Sequence, residues 1–287
     1  MGSPMLAFDM PRSTARRAAR FASIHPIPGY GLAFALLLAP IRAALGAQQI
    51  PLTPTPATPA VLIAPGDTSL RGSHIVADSV QYSLIAYRGA QQQTIGTAID
   101  VVRLEMRGDV PVIHRVLTVS PGRAPLIDST ETDARTLAPR RHRNVSPSRL
   151  IALEFNGKRV KGSIGPVDVP SLPIDTMLAL APFDSGNWDL IVRSLPLEKG
   201  YAARFRVYDT DSGLREYRID VTGSATVLGE EAHVVIFTLA PKRESVVWIG
   251  KTSRRLLQVE TMIDANTMLR QERQVRQDRA AALITRR

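Results

Sequence analysis

The chain has 287 residues, 44% of them hydrophobic and 22% charged, and no cysteine. This is enough apolar material for a sizeable core, and the missing cysteines exclude disulfides, cysteine-ligated zinc and thiol nucleophiles. The formal charge of +10 sits mainly at the ends: five arginines face one aspartate before position 48, six face two carboxylates from Arg270 onward, and about +2 is left for everything between. A nearly neutral body carries no basic stripe, so a nucleic-acid partner is not expected.

The first fifty residues read as an export signal. Arg12, Arg16, Arg17 and Arg20 precede an apolar run from Gly29 to Ile41, and the small residues Ala43-Ala44-Leu45-Gly46-Ala47 follow. Basic, apolar, then small is the order of a secretory signal peptide. The run is shorter than the roughly 20 residues that span a bilayer, and Arg42 interrupts its extension. We therefore expect residues 1–47 to be a cleaved signal peptide, the mature chain to begin near Gln48, and the product to be periplasmic or secreted. Residues 48–71 read as a proline-rich linker, since five prolines between positions 51 and 66 remove amide donors and hold the backbone extended.

From residue 72 to 275 the dominant period is two, which predicts one antiparallel β domain, followed by a basic tail over 276–287. Val80, Tyr82, Leu84 and Ala86 alternate with polar residues. Segments 97–107 and 110–119 flank Gly108-Asp109, a two-residue turn. Arg149–Phe155 and Lys158–Ile164 bracket Asn156-Gly157, a strong hairpin signal. Between Tyr201–Tyr208 and Leu214–Thr222, pairing Tyr208 with Leu214 sets Phe205 opposite Tyr217 on an apolar face and Arg206 opposite Glu216 on the other. Further strands are expected at 233–240, 245–249, 255–263 and 269–275. The 233–240 strand is apolar on both faces and needs cover on both. A helical stretch from Ile174 to Ser194, broken at Pro182, is the expected cover.

No recognisable catalytic motif emerges. Asp209-Thr210-Asp211-Ser212-Gly213 fails the calcium-loop pattern at its sixth and twelfth positions and reads as a hairpin turn. Gly162-Ser163-Ile164-Gly165 lacks the spacing of a nucleophile elbow. The histidines have no local metal spacing, so His114 and His142 are assigned surface or pairing roles, and Arg140–Arg143 is read as a solvated edge in preference to a contact with anionic lipid headgroups. Asp175, Asp184 and Asp189 are expected to cap helical amides. No metal or cofactor is expected.

Four segments in fixed order carry a family resemblance: Asp128-Ser129 with Thr136-Leu137-Ala138-Pro139; Leu153-Glu154-Phe155; Leu195-Pro196-Leu197 before Gly200; and Val246-Val247-Trp248-Ile249 before Arg254-Arg255-Leu256-Leu257. Over roughly residues 75–275 the chain resembles the domain of unknown function 3108 family of exported bacterial envelope proteins. The resemblance implies an antiparallel β domain with a curved sheet like that of periplasmic lipoprotein carriers, and it supplies no catalytic residues.

The reading is a mainly all-β fold: a strongly twisted antiparallel sheet or partly closed barrel with a short helical segment on its concave side. Its expected role is non-enzymatic, as an envelope binding or scaffold module whose partner is a lipid, another apolar small molecule or an envelope protein. Trp188, Phe237 and Trp248 are the candidate ligand-binding residues. The alternatives are a hydrolase with a dispersed active site and a protein-interaction module that adds a partner strand to its sheet edge.

Overall fold

The computed structural model describes residues 59–274 except Arg123, Asp211, Pro241 and Lys242. The expected signal peptide, the first part of the linker and the basic tail lie outside the described residues. The described strands are β1 (Val61–Ile63), β2 (Asp78–Arg88), β3 (Gln91–Arg107), β4 (Val110–Ser120), β5 (Leu126–Asp133), β6 (Pro139–Val145), β7 (Arg149–Asn156), β8 (Arg159–Pro166), β9 (Leu172–Met177), β10 (Phe183–Asp184), β11 (Ala202–Asp209), β12 (Gly213–Val227), β13 (Glu230–Ala240), β14 (Arg243–Gly250), β15 (Leu256–Met262) and β16 (Thr267–Arg273). Among the described residues one α-helix, α1 (Trp188–Ser194), follows a 3-10 turn at Ser185–Asn187, and another 3-10 turn lies at Gly72–His74.

All of these strands join one sheet in the order β1-β11-β12-β13-β14-β15-β16-β2-β3-β4-β5-β6-β7-β8-β9, with β10 beside β11. Every pairing is antiparallel except those of β1 and β10, which run parallel to β11. The end strands β1 and β9 do not pair, so the twisted sheet is open rather than a closed barrel. The fold class read from the sequence is the one observed, with a single short helix as its helical element.

The β11–β12 register matches the sequence pattern residue for residue: Phe205 faces Tyr217, Arg206 faces Glu216 and Tyr208 faces Leu214. Gly108-Asp109 is the β3–β4 turn, with Arg107 opposite Val110. The β7–β8 turn lies one residue later than expected. Asn156 pairs with Arg159, so the loop is Gly157-Lys158, and Gly157 takes the positive φ of 57° at its first position.

Three elements depart from the sequence reading. Residues 174–177, expected to begin a helix, lie in edge strand β9, whose Pro173 is tolerated because an edge need not supply every amide. Helical backbone starts only beyond Pro182, where no proline interrupts it. β5 and β6 have no apolar alternation, because their inward residues Asp128, Thr130, Thr132, His142 and Asn144 are polar. The basic run Arg140–Arg143 is thus part of an interior strand, with Arg141 and Arg143 exposed and His142 buried. Lastly, the described part of the expected linker packs against the sheet: Val61–Ile63 pairs with Ala203–Phe205, and Ile63 and Leu70 are buried.

Two kinds of inner surface result. Across β11–β16 and β2, one row of facing residues runs Ala203, Ile219, Phe237, Ser245, Thr261, Leu269 and Ala86. Its Ala203, Ile219 and Phe237 belong to the main core, where Phe205, Phe237 and Val247 are fully buried, and its other four residues are buried as well. Across β3–β8 the corresponding row runs Val102, Arg115, Thr130, His142, Leu153 and Gly162. A smaller cluster of Ile151, Leu153, Phe155 and Val160 touches β11 through an edge-to-face contact of Phe155 with Tyr208, 6.1 Å between centroids.

Candidate functional site

Residues 183–195 cross the mouth between β11 and strands β4–β6. At one end Phe183 and Asp184 pair with Val207 and Tyr208. From there three polar side chains reach successive strands of the opposite wall. Asp184 accepts from His142 Nδ1 on β6 at 2.8 Å. Asn187 accepts from Thr130 Oγ1 at 2.7 Å and donates to Thr132 Oγ1 at 2.8 Å, both on β5. Asp189 accepts from Arg115 Nη1 on β4 at 2.6 Å. Gly186 lies flat on this wall: a Cβ there would sit 3.3 Å from His142 Cε1 and from Thr130 Cγ2. Its carbonyl accepts a further bond from Arg115 at 2.9 Å.

Arg115 also forms a bidentate pair with Asp100 at 2.8 and 2.7 Å, so every nitrogen of its guanidinium has a partner. Taking these charges from water costs several kcal/mol per ion, which such geometry offsets only while every partner stays in place. His142 has a carboxylate at each ring nitrogen: Asp184 at Nδ1, and Asp128 Oδ1 3.3 Å from Nε2, an ion contact without hydrogen-bond geometry. Burial pulls the His142 pKa down, but Asp184 and Asp128 outweigh it and hold the imidazolium, with a pKa of about 9. Burial raises the pKa of Asp128 against the pull of His142.

The other side of the segment is apolar. Trp188 stacks on Phe237, 4.6 Å between centroids and 29° between planes. Leu190, Ile191, Val192 and Leu195 are buried in the same core. The C-terminal end is tied by Arg254, whose carbonyl accepts from Arg193 Nε at 2.6 Å and whose guanidinium donates to the Leu195 carbonyl at 3.2 Å.

Of the three candidate ligand residues, the structure brings together Trp188 and Phe237. Phe237 is fully buried, whereas Trp188 is half-buried. Trp248 points the other way: it pairs with Val234 and Gln258 on the face opposite Phe237, so the three do not line one space. The alternation of β13 already placed Val234 and Phe237 on opposite faces. Extending that register to β14 separates Trp248 from the core.

Of the three aspartates expected to cap, only Asp184 does so, accepting from Gly186 N at 2.9 Å while also holding His142. Asp189 pairs with Arg115 instead, and Asp175, in strand β9, pairs with Arg159 at the surface. His142 keeps its expected pairing role but is buried. Asp100 and Arg115 were missed, although both stand in the apolar phase of a strand, Asp100 between Ala98 and Val102 and Arg115 between Ile113 and Leu117. Two opposite charges in that phase are the signal a sequence reader could use.

Asp209–Gly213 is the expected turn, with Ser212 N and Oγ donating to Asp209 Oδ1. Among the described residues no group of three His, Asp or Glu is placed to hold a metal ion. One Ser–His contact exists on the outer face, with Ser129 Oγ 3.3 Å from His114 Nε2 and Glu105 3.7 Å from its Nδ1. Both residues sit mid-strand with paired neighbours on either side. The adjacent amides therefore serve the ladder and leave no backbone pair for an oxyanion.

Two of the family segments reach residues 183–195, one directly and one through His142. Asp128 faces His142, Arg254 holds Leu195, and Leu137 turns the chain from β5 into β6 with a φ of 55°. The family model for a protein of unknown function (DUF3108) matches residues 81–270. The chain belongs to that family. A search of curated proteins finds no match. Among solved structures, a LolA superfamily protein from Nitrosomonas europaea aligns at 9% identity and a TM-score of 0.22, covering 74% of this chain and 93% of the other.

Proposed function

We propose that this chain is an exported, non-enzymatic envelope module that holds an apolar, acyl-chain-like ligand on the inner side of its sheet beside Trp188. The supporting observation is the placement of that indole. One face stacks on buried Phe237 while the side chain keeps partial exposure, and half-buried Ile95, Leu117 and Leu126 pack on the same core. An amphipathic ring at the boundary of an apolar interior is a natural contact for an acyl chain. The signal-like order of residues 1–47 supports export.

A fluorescent fatty-acid analogue should bind saturably to the purified, delipidated protein, and Trp188→Ala should weaken binding by about tenfold, the order of one lost buried aromatic contact, without unfolding it. Trp248→Ala should leave the affinity unchanged. A second reading, strand addition, rests on β9, an end strand with Leu172 69% and Met177 68% exposed. Absence of saturable binding, together with self-association abolished by Leu172→Lys, would put that reading first.

A further inference from the structure

The face of β3–β8 turned away from the core is ordered in three successive rungs, about 7 Å apart along the strands. The first is largely apolar: Ile99, Thr118, Ile127, Val145 and Leu150 face one another in turn, with Ile99 43% and Ile127 38% exposed. The second runs Val116, Ser129, Arg143, Ala152 and Ser163, so a lone arginine stands among small side chains. The third alternates in charge through His114, Glu131, Arg141, Glu154 and Lys161. Because the middle rung is small, a groove of about 740 Å³ opens over it, lined by His114, Ser129, Arg141, Arg143, Lys161 and Ser163 among others.

The charges of the third rung are matched. Glu131 meets Arg107 and Arg140, Glu154 meets Arg141, and Lys161 meets Asp175. Arg143 is exposed, and among the described residues no carboxylate lies within ion-pair distance of it. It sits one rung from the apolar band and directly opposite the Ser129 hydroxyl, with Ser163 on the same rung beyond Ala152. A guanidinium beside a hydroxyl donor suits a phosphate oxygen. An apolar strip one rung away suits the acyl region beneath that phosphate.

We infer that this outer face docks on an anionic phospholipid surface, with Arg143 on the headgroup phosphate and the Ile99–Leu150 rung against the acyl region. Charge complementarity selects this occupant, because the one cation left unmatched in the groove adjoins the apolar band. The site is separate from the one beside Trp188 and lies on the opposite face of the sheet. It gives the module a way to meet a membrane while its inner face is occupied.

Vesicle flotation tests this directly. The protein as exported, without residues 1–47, should float with mixed phosphatidylglycerol–phosphatidylcholine vesicles, float poorly with phosphatidylcholine alone, and lose binding as salt rises. Arg143→Glu should weaken binding by about tenfold or more and Arg143→Gln by less, while Arg204→Glu, an equal charge change at the other end of the sheet, should have little effect. Ile127→Ser should weaken binding without altering its salt dependence. Equal affinity for both vesicle types, an unchanged Arg143→Glu protein with a native melting profile, or displacement by inorganic phosphate as complete as by vesicles would overturn the proposal.

Discussion

Between β11 and β2 the sheet meets residues 183–195 with Phe205 and Phe237, backed by Tyr217; between β3 and β6 it meets the same segment with Arg115, Thr130 and His142, Arg115 being held by Asp100. The aromatic side gives contact area without fixed direction, and its rings pack edge-to-face, tilted or stacked at centroid distances of 4.6 to 6.4 Å. The polar side gives direction: each of Asp184, Asn187 and Asp189 has a partner on its own strand and fits no other register. Burial therefore holds the segment and the polar contacts choose where it lies, the use of buried polar groups for which registry is the best-attested role. The difference also predicts how each side fails. An apolar contact degrades with lost volume, whereas an ionic one fails when a single partner leaves.

The largest effects should come from removing one centre on each side. Arg115→Ala strands Asp100 and Asp189 in the interior and should cost about 3–5 kcal/mol. Phe205→Ala, fully buried, should cost about 3–5 kcal/mol through lost contact and cavity formation. Urea unfolding should separate them by remedy: adding Asp100→Asn and Asp189→Asn to Arg115→Ala should recover part of the loss, whereas nothing polar rescues Phe205→Ala.

Next in size is a pH effect confined to the polar side. His142 is near 6.5 when unfolded and about 9 when folded, so its ionised form stabilises the fold fully below about 6.5. That contribution, on the order of 3 kcal/mol, should be lost as pH rises through about 9. His142→Gln should flatten stability over this window, as read by urea midpoints at each pH. A wild-type curve already flat there would sever His142 from the docking of residues 183–195.

Smaller still, Asn187→Ala should cost about 1–3 kcal/mol by leaving the Thr130 and Thr132 hydroxyls unpaired. Arg206→Ala, on the outer face beside Glu216 at 3.5 Å, should cost about 1 kcal/mol or less. If calorimetry ranks Arg206→Ala above Asn187→Ala, the inner and outer faces have been exchanged.

The aromatic side was the legible one. Its strands β11 and β12 alternate cleanly, and the Tyr208–Leu214 register follows because a one-residue slip would bury Arg204 and Arg206. The polar side was illegible for the same reason that it is specific. Asp128, Thr130, His142 and Asn144 face inward without a hydrophobic pattern, so β5 and β6 carry no period to read. Their partners in residues 183–195 are 42 to 57 residues away in sequence, a separation that spacing rules do not reach. Trp188 and Phe237 were found as aromatic candidates, but their stacking needed the fold, and Trp248 was misplaced for want of the β13–β14 register.

The central claim, an acyl-type ligand beside Trp188, is tested most directly by the two tryptophans themselves, which lie on opposite faces of the sheet. In Trp248→Phe protein only Trp188 fluoresces, and in Trp188→Phe protein only Trp248 does. A fatty acid brominated along its chain should quench Trp188 saturably and leave Trp248 unchanged. Quenching of Trp248 with Trp188 untouched, or of neither, would contradict the account.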